Sequence, residues 1–126
     1  VTKAKPIVLL GSSRSNGETC RAVHIAFENN ADCLDLQSYD FSPYDYNHAN
    51  GRDDFLRIID LIISREKIVF ASPVYWYAMS ARLKTFFDRL SDLITIEPQK
   101  GKALAGKMAW LIVSGTDDNM PEGFEV

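Results

Sequence analysis

Ile7, Val8, Leu9 and Leu10 run without a polar residue and stop at Gly11, and no other feature constrains the fold as tightly. A strand with one wet face alternates apolar and polar side chains. A short run that does not alternate suits a strand covered on both faces, as in a parallel sheet between helices. Three further apolar runs follow at 31–36, 67–71 and 108–113. Between them, apolar residues recur at helical spacing: Ala22, Val23, Ala26 and Phe27; then Phe55, Ile58, Ile59, Ile62 and Ile63; then Leu83, Phe86, Phe87, Leu90 and Ile94. Strand and helix in this alternation predict one α/β domain over residues 1–126, a doubly wound parallel sheet with right-handed crossovers.

Between Gly11 and Thr19 the chain reads GSSRSNGET. Ser12, Ser13, Ser15 and Thr19 carry hydroxyls, Arg14 carries a guanidinium fork, and the helix that follows offers unpaired N–H groups. That set suits an anion. An ordinary loop capped by Asn16 or Gly17 reads equally well from these residues alone. The dinucleotide fingerprint is absent because Ser13 replaces its second glycine, and the phosphate loop of nucleotide hydrolases is absent because Glu18 stands where Lys belongs. Neither Cys20 nor Cys33 has the arginine partner of a low-molecular-weight phosphatase. In a doubly wound sheet the ligand lies beyond the carboxyl ends of the strands. Three unusual loops fall there: GSSRSNGET, SPVYWYAMS and Ser114-Gly115-Thr116.

A net charge of −3 with scattered Lys and Arg argues against a nucleic-acid or membrane-surface partner. No run approaches the ~20 apolar residues of a membrane span. Two cysteines and two distant histidines give no metal-ligand spacing, and no catalytic triad is seen. Cys20 and Cys33 read as buried thiols of a reducing, cytoplasmic compartment. Residues 37–51 form a long aromatic loop of binding or lid type, with Tyr46 and His48 on its surface. On the helix expected over 81–94, Arg82, Lys84, Asp88, Arg89 and Asp92 point outward, and 95–107 is a connector. Tyr75, Trp76 and Tyr77 cannot all face one core, so at least one faces a site or solvent.

The stretches GSSRSNGET, YDYNHANGRDDF and above all SPVYWYAMSARLKTFFDRL resemble the NADPH-dependent FMN reductase family. The resemblance implies a flavodoxin-like sheet of order 2-1-3-4, with FMN as cofactor and NADPH or NADH as co-substrate. Ser12, Arg14, Asn16, Gly17 and Thr19 would hold the FMN phosphate. Pro73, Val74, Tyr75 and Trp76 would line the isoalloxazine, and Ser114, Gly115 and Thr116 would approach its pyrimidine side. Hydride would pass to a small-molecule electron acceptor such as a quinone or flavin. A flavin-binding electron carrier without nicotinamide activity, and a shortened chain that has lost its cofactor, are the alternatives. Family members carry a fifth strand and a last helix that TDDNMPEGFEV does not show, so the strand at 108–113 is expected to be an open edge covered in a homo-oligomer, a dimer or larger.

Overall fold

The computed structural model describes residues 5–12, 14 and 17–115. Strand β1 (Ile7–Leu10) leads to helix α1 (Glu18–Phe27), then to β2 (Asp32–Asp35) and a 3₁₀ turn at Leu36–Ser38. Helix α2 (Phe55–Ile63), β3 (Lys67–Pro73), α3 (Ala81–Arg89), α4 (Asp92–Thr95), α5 (Pro98–Ala103) and β4 (Met108–Ser114) complete the order. All four strands are parallel, in the order β2-β1-β3-β4. This is the sheet order that the sequence implies.

The lack of alternation in β1 has a direct cause. Ile7 and Leu9 enter one apolar cluster with Phe55, Ile58, Ile59 and Ile62 of α2 and Leu83 and Phe86 of α3. Val8 and Leu10 enter the other, beneath Val23, Cys20 and Phe27 of α1. Successive side chains point to opposite faces, so both halves of the strand need to be apolar. β4, an edge of the described sheet, is less covered: Met108, Trp110 and Leu111 are 52%, 40% and 48% exposed, although Phe27 stacks on Trp110 with ring centroids 6.4 Å apart.

Several expectations need correction. The helix expected over 81–94 ends at Arg89, and 3₁₀-type bonds from Leu90 N–H to the Phe87 carbonyl and from Ser91 N–H to the Asp88 carbonyl tighten the chain there. That change of pitch turns Ile94 outward, where it is 79% exposed. Arg89 and Asp92, expected in solvent, are buried. The expected connector contains α5, which opens with Pro98 in its first turn. Gly101 reads as a breaker, yet it serves packing: a Cβ there would sit 2.7 Å from the Leu93 carbonyl oxygen. Cys33 is exposed because β2 is an edge of the described sheet, and Cys20 on α1 is only half-buried.

The loop after β2 is strapped down by two arginines of α3. Arg82 donates to the carbonyls of Leu36, Tyr39 and Phe41, and its guanidinium lies 3.6 Å from the centroid of the Phe41 ring. Arg89 holds Asp53 through two nitrogens at 2.6 and 3.1 Å, Asp92 at 2.9 Å, and the Ser42 carbonyl at 2.8 Å. His48 joins the same network through Nδ1, 3.1 Å from Asp92 Oδ1. The loop is therefore anchored along α3.

Candidate cofactor-binding site

At the carboxyl ends of β1, β3 and β4 three loops are locked together by short contacts. Gly11 donates its N–H to the Ala71 carbonyl at 2.8 Å, which closes β1 onto β3. A side chain would not fit there, since a Cβ would lie 2.9 Å from both Ser80 Oγ and Leu83 Cβ. Ser80 caps α3 by accepting from Leu83 N–H, and its own N–H donates to Ser72 Oγ at 2.9 Å. Val74 N–H donates to the Ser114 carbonyl at 2.8 Å, and Ser114 Oγ lies 2.7 Å from Thr19 Oγ1. Ser72 and Ser80 were missed as parts of this frame, although a serine just before the Leu83 stripe is a helix-start signal.

The cradle has the donors that an anion needs. Gly17 caps α1 with extended backbone and, being glycine, offers no side-chain bond to the first-turn N–H groups of α1. The Ser12 oxygen accepts Arg14 N–H at 3.0 Å, which leaves the hydroxyl proton of this buried residue to donate elsewhere. Arg14 is exposed, with no acidic partner among the described residues. Glu18 does not oppose an anion at close range, because it is turned along the helix to Arg21 at 2.8 Å. The donor set thus fits one phosphate group. Asn16 and Thr116, and with them Ser13, Ser15 and 117–126, lie outside the described residues.

Across the cleft, β3 runs through Pro73 and half-buried Val74 into a two-residue hairpin. Tyr75 N–H donates to the Ala78 carbonyl at 2.8 Å and Ala78 N–H returns the bond at 3.1 Å. Trp76 and Tyr77 at its tip have φ of 49° and 66°, the left-handed values of a type I′ turn. Asn-Gly is the sequence that such a turn favours; a bulky aromatic pair is strained there. Trp76 is 94% exposed and Tyr77 71%. The strained turn thus presents two exposed flat rings beyond the carboxyl end of β3, and Gly115, whose added Cβ would only touch Val74 Cβ at 3.8 Å, leaves room next to Val74.

The chain as a whole is matched in known proteins. Residues 4–121 match the family described as NADPH-dependent FMN reductase. The chain belongs to this family. Its fold class is accordingly flavodoxin-like, and the family's cofactor is FMN. It is 33% identical over 128 residues to Bacillus subtilis YwqN, which carries the name of an NAD(P)H-dependent FMN-containing oxidoreductase, and the match takes in 94% of this chain and 71% of YwqN. The solved Trp repressor binding protein of Bacillus subtilis superposes with a TM-score of 0.71 at 30% identity, covering 90% of this chain and 65% of that one. General stress protein 14 of Treponema denticola, solved with FMN, shares the fold at a TM-score of 0.59 and 22% identity, covering 90% of this chain and 63% of that one. The chain thus spans about two thirds of the length of these solved relatives.

One expectation follows from the strained turn. Replacing Trp76-Tyr77 by Asn-Gly removes the left-handed penalty and should stabilise the ligand-free protein by about 1–2 kcal/mol. Chemical denaturation with an unchanged m-value measures it, and an unchanged or lower midpoint would mean that the rings contribute more than the backbone loses.

Proposed function

We propose that this chain is an FMN-dependent oxidoreductase, a single flavodoxin-like domain that takes hydride from NADPH or NADH and reduces a small acceptor such as a quinone or flavin. The observation that carries this reading is the junction of an α1 N-terminus capped by glycine, an Arg14 with no acidic partner among the described residues and the exposed Trp76–Tyr77 turn within one hydrogen-bonded frame. FMN supplies the hydride and electron chemistry when bound. Ser12, Arg14, Asn16 and Gly17, with the α1 amides including that of Thr19, hold the phosphate. Pro73, Val74, Tyr75 and Trp76 wall the ring, while the backbone of Ser114, Gly115 and Thr116 approaches its pyrimidine edge. Trp76, outermost of these, shapes the open face on which nicotinamide and acceptor are received. No side chain is assigned a proton to move.

Two finer readings belong with this one. Exposed Met108, Trp110 and Leu111 on β4 support self-association of the folded protein, at least as a dimer. Light scattering at micromolar concentration should find more than one chain per particle, and a stable monomer would contradict it. Cys20 and Cys33 as free thiols support a reducing, cytoplasmic location. No helix among the described residues is long and apolar enough to cross a membrane.

Arg14→Ala should weaken FMN by roughly ten- to hundredfold, the worth of a charge-assisted phosphate contact of ~1.5–3 kcal/mol. An unchanged dissociation constant would show that Arg14 points elsewhere. The activity itself is tested anaerobically: NADPH or NADH added to the FMN-loaded protein should bleach the flavin band. Bleaching by dithionite alone would favour an electron carrier.

A further inference from the structure

The bond between Thr19 and Ser114 joins two sides of the cleft that the chain keeps 95 residues apart. Thr19 stands in the first turn of α1, under the cradle, and is only 2% exposed. Its hydroxyl oxygen lies 2.7 Å from Ser114 Oγ, a normal separation for an O–H···O bond in which either group can be the donor. Ser114 in turn accepts Val74 N–H on its carbonyl at 2.8 Å, so one residue ties α1 to the aromatic loop after β3. The cradle and the ring wall are thus connected through a partly buried hydroxyl pair as well as through the sheet.

We propose that Thr19 is a positioning residue whose side chain, bonded to Ser114, sets the separation between the phosphate seat and the ring seat rather than touching the phosphate. This rests on the flavin reading above. A ligand that occupies both seats at once depends on their spacing; FMN is such a ligand. Riboflavin has the ring without the phosphate, so a change of spacing hardly affects it. A direct Thr19–phosphate contact and an independent Ser114–ring contact would behave differently, because the two losses would then belong to different parts of the ligand.

The test uses the full chain with Thr19→Val, Ser114→Ala, the double variant and Thr19→Ser. Dissociation constants are measured for FMN and riboflavin, and thermal midpoints without ligand. Thr19→Val and Ser114→Ala should each weaken FMN by about fivefold, as loss of one net hydrogen bond does, and the double variant by no more than either. Riboflavin affinity should change by less than about twofold, and Thr19→Ser should behave as the natural chain. Multiplied losses in the double variant, or an FMN loss confined to Thr19→Val, would overturn the proposal. If the natural chain binds neither flavin, the flavin reading fails and the strut is judged on midpoints alone. A double variant no less stable than the worse single one sustains the strut, and additive losses refute it.

Discussion

Arg89→Ala should lower the stability of the folded chain by about 3–5 kcal/mol, a large share of what holds a domain of this size together. Arg89 is fully buried and is the shared cation of Asp53 and Asp92, with the Phe55 ring 4.8 Å from its guanidinium carbon. Removing it takes the shared guanidinium from both carboxylates, leaving Asp92 with His48 and Asp53 with the N–H groups of Ser42 and Phe55, and frees the Ser42 carbonyl. The effect should appear as a fall of more than about 10 °C in the thermal midpoint. Asp53→Asn in the same background should recover part of the loss, since one of the stranded charges is gone. A fall of less than about 1 kcal/mol would mean that water reaches the network as soon as the guanidinium is absent.

The network also gives the stability a pH dependence of definite sign. Burial works to raise the Asp53 carboxyl, but hydrogen bonds from Arg89 and from the N–H groups of Phe55 and Ser42, with the arginine charge, outweigh it and hold the carboxyl below the usual range. A carboxylate whose folded pKa is depressed contributes stability that is fully present above its unfolded value of ~3.9 and is lost as pH falls toward the folded value. The natural chain should therefore lose more stability between about pH 5 and 3 than Asp53→Asn does.

Phe86→Ala should cost a similar amount, about 3–5 kcal/mol, through a cavity instead of a stranded charge. Phe86 is fully buried between sheet and helices, with ring centroids of Phe55, Phe70, Phe87 and Phe41 5.5 to 6.4 Å away. It comes from three elements' worth of packing, so no single neighbour can move in to fill the gap. Equilibrium denaturation measures the loss. Phe86→Leu, which keeps most of the volume, should cost less than half as much.

These two residues lie three apart on α3, and they differ in how far the sequence reveals them. Phe86 falls on the apolar stripe with Leu83 and Leu90, so periodicity alone marks it as core. Arg89 is a cation on a helix, and a cation reads as solvent-facing unless its partners are known. Those partners are Asp53, 36 residues back, and Asp92, beyond the turn that ends the helix. One signal was available: Phe86, Arg89 and Leu93 follow helical spacing, so Arg89 sits on the inner face. The covering of β1 was legible because burial on both faces leaves a continuous apolar run, whereas the sheet order followed from the family resemblance. The cradle and the aromatic turn were legible as loops at the right strand ends. The Thr19–Ser114 bond and the left-handed turn at Trp76 and Tyr77 were not, since a hydroxyl does not name its partner and an aromatic pair is the wrong sequence for such a turn.

The account stands on the cleft being built for one phosphate and one flavin ring. Its most direct measurement is reconstitution of the purified chain with FMN, FAD and NAD in parallel, followed by desalting and an absorbance spectrum. Retention of FMN near one per chain, with FAD and NAD washed away, is the predicted result. Retention of FAD in preference to FMN, or of no flavin at all, would contradict it.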